Sequence, residues 1–255
     1  MNTPLACDPV PRFGDRRRSR VGLLGGSFNP AHAGHRHVAE VARRRLRLDQ
    51  VWLLVSPGNP LKPQRGMAKL ALRLASARSV ADGRRLVASA IEARLGTRFT
   101  LDTLRLLQRR FPRVEFVWIA GADIFVQLPQ WRGWREIVRR VPFAVLPRPG
   151  YNHRAVAGSA AAVLRHARRP AHASAILARC TPPAWMFLTA PQHAASASAI
   201  RATLPGATRV LLSGATRAPR PSGTPLRNAT HVPHATAIRM PLPRATHTPS
   251  QGAEP

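Results

Sequence analysis

Two histidines, His32 and His35, stand three residues apart just after the run Gly25-Gly26-Ser27-Phe28-Asn29-Pro30. At the start of a helix that spacing puts both rings on one face. Both can then reach one phosphate, where N–H donors, imidazolium or neutral, stabilise charge developing on a transferring phosphoryl group. A zinc site would need a third ligand that the neighbouring residues do not supply, so no metal-ligating set is assigned. The paired glycines Gly25 and Gly26 let backbone approach a ligand closely. Amides of Ser27 and Phe28 can then turn toward phosphate oxygens, beside the N-terminus of the helix that follows. The loop lacks the Gly-Lys-Ser/Thr of a Walker A loop and is not the dinucleotide Gly-x-Gly-x-x-Gly.

Further along, Pro57-Gly58-Asn59-Pro60-Leu61-Lys62 follows an apolar run, and Lys62 there can pair with a triphosphate. Gly121-Ala122-Asp123 follows another, and Asp123 can accept from a ribose or cap a helix. Trp131-Arg132-Gly133-Trp134 offers indoles that either anchor a core or stack on a flat heteroaromatic ring. Thr100, in Thr97-Arg98-Phe99-Thr100, is a helix cap or a hydrogen-bonding group. In Ser196-Ala197-Ser198-Ala199-Ile200-Arg201, a serine can cap a helix facing a phosphate, and Arg201 one turn in can grip phosphates bidentately. Arg148-Pro149-Gly150-Tyr151 reads as punctuation that ends a strand.

The elements that must carry these groups alternate. Strands are expected at 21–24, 51–55, 85–88, 114–120, 143–146 and 185–188. Helices are expected at 34–46, 67–80, 101–110, 123–128, 131–140, 153–168 and 198–204. Such alternation predicts an α/β, Rossmann-like parallel sheet with helices on both faces, in a single domain spanning 20–204. Ligands in such sheets sit outside the carboxyl ends of the strands, where the Gly-rich turn lies. Residues 1–19 show no periodicity and read as a disordered basic leader. Residues 205–255, dense in Pro, Thr, Ala, Arg and His, read as a disordered low-complexity tail.

Of 255 residues, 40 are Lys or Arg against 11 Asp or Glu, a formal charge of +29, and all the cations but Lys62 and Lys69 are arginines. That charge suits polyanions, yet a coding bias toward Arg, Ala and Pro produces it equally. Aromatics, which interleave with nucleic-acid surfaces, are only 5%, so nucleic acid is not the expected partner. Cys7 and Cys180 form neither a metal spacing nor a disulfide framework, which fits a reducing cytoplasm. No apolar run approaches the roughly 20 residues of a membrane span. Arg16, Arg17 and Arg18 are not followed by the apolar region of a secretory signal.

The stretch Gly25-Gly26-Ser27-Phe28-Asn29-Pro30-x-His32-x-Gly34-His35 resembles the signature of the nucleotidyltransferase superfamily with the His-x-Gly-His motif. The remaining segments, in order over residues 20–204, resemble the bacterial nicotinate-nucleotide adenylyltransferases. The resemblance implies adenylyl transfer from ATP to nicotinate mononucleotide, with Mg²⁺ accompanying ATP. It places His35, assisted by His32, at the α-phosphoryl group, with Gly25, Gly26, Ser27 and Phe28 cradling phosphate. It gives Lys62, Ser196, Ser198 and Arg201 to the triphosphate, and Gly121 and Asp123 to the adenosine side. It gives Asn59, Thr100, Trp131 and Arg132 to the acceptor. The pattern departs at Leu61, where His is usual, at Arg132, where Tyr is usual, and at Ser198, where Thr is common. A sister enzyme acting on nicotinamide mononucleotide or pantetheine phosphate is the near alternative. An Arg-rich nucleic-acid-binding protein is the distant one.

Overall fold

The first apolar run becomes β1 (Ser19–Gly26), the inner strand on which the sheet is built. The computed structural model describes residues 8–58, 61, 66–192 and 197–203. The chain divides into two units, Met1–Thr216 and Arg217–Pro255, and every described residue lies in the first. The expected tail at 205–255 lies outside the described residues.

After β1 come α1 (Ala33–Arg45), β2 (Gln50–Val55), α2 (Leu70–Val80), β3 (Leu86–Ser89), α3 (Ile91–Leu95) and α4 (Thr100–Arg110). Then follow β4 (Val114–Gly121), α5 (Ala122–Gln127), α6 (Trp134–Arg140), β5 (Phe143–Leu146), α7 (Asn152–Ala157), α8 (Ser159–Val163), β6 (Trp185–Phe187) and α9 (Ala197–Thr203). The six strands pair in parallel in the order β3-β2-β1-β4-β5-β6. The chain builds outward from β1 to β3, then returns to start again at β4 on the other side of β1. The switch therefore lies between the carboxyl ends of β1 and β4, where ligands of such sheets sit.

Period-two alternation sends side chains to both faces. Val21, Leu23, Trp52, Leu54 and Trp118 face a core completed by Leu104 and Leu107 of α4 and Ile137 of α6. Val51, Leu53, Val117 and Ile119 face the other, completed by Ala39 and Ala42 of α1 and Leu74 of α2. Burial on both faces explains why the strands read as near-continuous apolar runs. No helix among the described residues is long and apolar enough to cross a membrane.

The α-helices depart most from expectation at three places, and one α-helix is additional. Helix α2 begins at Leu70 rather than 67, because Gly66 and Ala68 use their backbone groups on other partners: Asn29 Nδ2 donates to the Gly66 carbonyl and the Ala68 amide donates to Asn29 Oδ1. The expected helix at 131–140 starts at Trp134, after Gly133 takes a left-handed φ of 67°. The stretch 153–168 breaks at Gly158 into α7 and α8. Helix α3 has no counterpart in the sequence reading, although Gly96 at its end, with φ 68°, is a C-terminal glycine cap.

The leader reading is corrected for residues 8–18. Val10 is buried, and the Asp8 carboxylate accepts from the Ser89 hydroxyl and the Ala90 amide, both at 2.7 Å. Arg94 donates to the Val10 carbonyl at 2.9 Å, and Arg110 to that of Arg12 at 2.6 Å. One apolar side chain and one carboxylate anchor the segment without regular structure, so no periodicity announces it. Asp8→Ala leaves the Ala90 amide unpaired and should cost about 1–3 kcal/mol. Urea denaturation of the two proteins checks this; equal midpoints would return the segment to a passive leader.

Candidate active site

The carboxyl end of β1 is shaped for close approach. A Cβ on Gly25 would lie 3.0 Å from the Trp118 indole, so any larger residue there would have to push that ring back by a few tenths of an ångström. Phe28 then takes the left-handed region at φ 47°, a conformation that costs a bulky residue energy and persists only where surroundings impose it. Its ring is 1% exposed and stands 4.9 Å from that of His35. The Ser27 and Phe28 amides donate no backbone hydrogen bond among the described residues, which leaves them for a ligand.

His32 and His35 are fixed reciprocally. The Gly34 amide donates to His32 Nδ1 at 3.1 Å, and the His32 amide donates to His35 Nδ1 at 3.2 Å. The two rings lie 3.9 Å apart. Each Nδ1 is an acceptor, so in the neutral ring the proton resides on Nε2. Of the two forms open from sequence, this arrangement fits neutral Nε2–H donors: a proton on Nδ1 would oppose the amide that caps it.

The frame of the loop comes from a residue the sequence reading passed over. Arg73, on α2 and 3% exposed, donates through Nη1 to the carbonyls of Ser27 at 2.9 Å and Ser56 at 2.6 Å. Its Nε donates to the Ala68 carbonyl at 2.8 Å, and Nη2 reaches that of Pro57 at 3.3 Å. One guanidinium thereby joins the loops after β1 and β2 to the start of α2. Burial lowers its pKa from the ordinary value. An Arg among apolar helix positions is the signal that could have found it.

Two cavities open on either side of this loop and share Gly25, Gly26 and Ser27 as floor. The first, about 430 Å³, is lined by His32, His35, Gly121, Asp123 and Arg148 among others. Asp123 does not cap its helix: the cap position is Gly121, with no side-chain capping bond. A Cβ on Gly121 would lie 2.5 Å from Asp123 Oδ1, so glycine leaves room for the carboxylate at the strand end. Arg148 was read only as punctuation; its amide does start a turn on Asn152 Oδ1 at 2.7 Å, and the residue also lines the cavity. Ala197, first in α9, reaches the same wall. Ser198 and Arg201 lie on α9, but their side chains, with Ser196, Asn59 and Lys62, lie outside the described residues.

The second cavity, about 260 Å³, is lined by Trp118, Trp131, Phe99, Thr100, Arg132 and Glu92 among others. The two indoles of 131–134 divide the alternatives between them: Trp134 is 8% exposed in the core, while Trp131 stands edge-on to Trp118 at 5.9 Å in the cavity wall. Thr100 is not the helix cap; that position is Phe99. Arg132 stacks 4.2 Å over the Phe99 ring and pairs with Asp102 at 3.0 Å, so its charge already has a partner. Glu92, unread in the sequence, is 8% exposed, and burial pushes its carboxyl up to about 7 against a hydrogen bond from Thr103 that lowers it.

Two stability outcomes follow. Arg73→Ala should cost on the order of 3 kcal/mol, since bonds from a charged donor are lost and buried carbonyls left bare. A chemical-denaturation midpoint within error of the parent would contradict that frame. Glu92 is protonated more readily folded than unfolded, so ionising it costs stability as pH rises from its ordinary 4.5 to about 7. Glu92→Gln should therefore stabilise the protein by up to ~3 kcal/mol above pH 7 and by little near pH 4.5. Melting curves across that range test the sign.

Comparison with known proteins agrees with this geometry. Residues 23–203 match the family described as Cytidylyltransferase-like. A protein of Gluconacetobacter diazotrophicus named Probable nicotinate-nucleotide adenylyltransferase is 58% identical over 194 residues, 76% of this chain and 90% of that protein. One of the same name from Gluconobacter oxydans is 60% identical over 182 residues, 71% of this chain and 93% of that protein. Among solved structures, Plasmodium falciparum nicotinic acid mononucleotide adenylyltransferase complexed with NaAD gives a TM-score of 0.55 at 14% identity, over 72% of this chain and 83% of that one. At that identity the likeness is one of fold.

Proposed function

The chain belongs to the cytidylyltransferase-like family and within it to the nicotinate-nucleotide adenylyltransferases, and from that premise we propose that it transfers the adenylyl group of ATP to nicotinate mononucleotide. The observation that carries this reading is the pair of cavities meeting over Gly25, Gly26 and Ser27. One cavity holds two histidines and a carboxylate; the other is walled by indole. A nucleotide in the first and a mononucleotide with a flat ring in the second would bring their phosphates together above one loop.

The reaction is an in-line displacement. An oxygen of the acceptor phosphate forms a bond to the α-phosphorus, and the bond from that phosphorus to the bridging oxygen breaks. Pyrophosphate leaves with the electron pair and deamido-NAD forms. Positioning and charge stabilisation supply the catalysis. His35 Nε2–H donates to the α-phosphoryl oxygens as charge grows there, His32 assists, and the amides of Ser27 and Phe28 hold phosphate. Lys62, Ser196, Ser198 and Arg201 act on the triphosphate, and Asp123 on the adenosine ribose. Trp131 packs on the acceptor ring, with Thr100, Arg132 through its backbone, and Asn59 around it.

Mg²⁺ accompanies the triphosphate. Among the described residues no group of three or more His, Cys, Asp or Glu could hold an ion, and Asp123 is the one carboxylate lining its cavity. That donor set fits an ion held chiefly by phosphate oxygens and water, where it would neutralise charge on the departing pyrophosphate. We place the reaction in the cytoplasm, and neither nucleic acid nor membrane is required.

Pyrophosphate release with ATP should appear with nicotinate mononucleotide and be weaker with nicotinamide mononucleotide and pantetheine phosphate. His35→Ala should lower kcat by about 10²–10³-fold, as losing one transition-state donor does, with the fold intact by circular dichroism. Release with none of the three acceptors, or an undiminished rate in the variant, would overturn the reading.

A further inference from the structure

Glu92 is anomalous in a chain of +29. It lines the cavity of Trp131 and Thr100, and it forms no ion pair among the described residues. Among the described residues none of the arginines near it pairs with it. Arg94, on the same helix, faces Asp8 and the Val10 carbonyl. Arg132 pairs with Asp102, and Arg98, exposed, lines the same cavity without an ion pair to Glu92. From α4, Asp102 and Arg105 face Arg132 and Glu136. Strand β2, packed against α3, brings only uncharged side chains.

The carboxyl is nonetheless held in place. Thr103 Oγ1 donates to Oε1 at 3.2 Å and stands 2.8 Å from Thr97 Oγ1, which is itself 3.3 Å from the Glu92 carbonyl. Oε2 has no hydrogen-bond partner among the described residues. A fixed carboxylate without a counter-ion, beside an indole wall, is the donor set that recognises organic cations. The acceptor proposed above has a quaternary pyridinium ring. Its positive charge is permanent and carries no N–H, so only an opposite charge and a π surface can read it.

We propose that Glu92 is a specificity-determining residue whose carboxylate supplies the counter-charge for the cationic pyridinium ring of the acceptor. The proposal rests on the acceptor reading of the second cavity. It explains why, among the described residues, no arginine neutralises a position that is costly when ionised: the ligand brings the cation. It also gives binding a pH dependence. Near and below pH 7 the buried carboxyl holds a proton and loses its hold on the ring.

The test compares wild type with Glu92→Gln, which keeps the size and an acceptor for Thr103. Steady-state kinetics are run from pH 5.5 to 8.5, varying nicotinate mononucleotide and ATP in turn. In parallel, calorimetry measures binding of N-methylnicotinate, whose ring is cationic, and of benzoate, whose ring is not. At pH 8 the variant should show an acceptor KM raised roughly tenfold, the scale of a desolvated cation contact, with the KM for ATP within about twofold and no loss of melting temperature. The ratio of variant to wild-type KM should fall toward one at pH 5.5; taking the ratio removes the titration of the acceptor's own phosphate near pH 6. Wild type should prefer N-methylnicotinate to benzoate, and the variant should not. An unchanged acceptor KM at every pH overturns the proposal while leaving the enzyme reading intact, as does a parallel rise of both KM values with a lower melting temperature. Charge-selective binding without turnover would instead retain the role of Glu92 and remove the adenylyltransferase reading. Equal binding of both rings by wild type overturns the proposal directly.

Discussion

The Arg73 guanidinium is the contact on which the site's geometry depends. It donates to carbonyls of Ser27, Ser56, Pro57 and Ala68. Those residues come from three separate stretches, each just outside the strand or helix beside it. With their carbonyls drawn toward one buried cation, the amides of the β1 loop are left unspent by the backbone. Among the described residues the cation has no carboxylate partner, so its charge adds to the attraction for phosphate. Asn29, bridging Gly66 and Ala68, repeats the device on the other side of the loop.

The switch from β1 to β4 supplies the rest. Parallel strands that reverse direction of growth at this point leave their carboxyl ends side by side. Gly25, Gly26 and Gly121 then sit on one edge, with the helices α1 and α5 starting beside them. Glycines lower the wall on both sides, so two cavities share a floor instead of being separated by side chains. The arrangement suits a reaction that joins two nucleotides through their phosphates.

Much of this was legible in the sequence. The six strands read correctly because burial on both faces leaves runs such as Val51-Trp52-Leu53-Leu54-Val55 almost wholly apolar. The turn and the helix start were legible because Gly25-Gly26 closes an apolar run and the histidine pair opens the next helix. What escaped shares a physical cause. Arg73 and Glu92 are charged residues in helices, and such residues ordinarily face water. Their roles depend on contacts with Ser56, Ser27 or Thr103 that no local pattern encodes. Segment 8–18 escaped because two side chains anchor it, and α3 because five residues are too few to show a period. Trp131 and Trp134 could not be told apart until Gly133 showed where the helix begins.

The capping of α1 by its own histidines has a consequence for how this stretch can vary. His32 receives the Gly34 amide and His35 receives the His32 amide, so the ring nitrogens that hold the helix start are the Nδ1 atoms, not the Nε2 atoms on which the proposed reaction relies. In the proposed reaction each imidazole would serve the cap and the phosphate through opposite edges. Aspartate or asparagine at position 32 could take over the cap, yet neither offers a donor on the far side of a ring. Lysine could reach the phosphate but would leave an amide bare. The histidine spacing thus meets a demand of architecture as well as the one the proposed reaction makes, and a substitution without an acceptor at either position gives up the cap before any chemistry is counted.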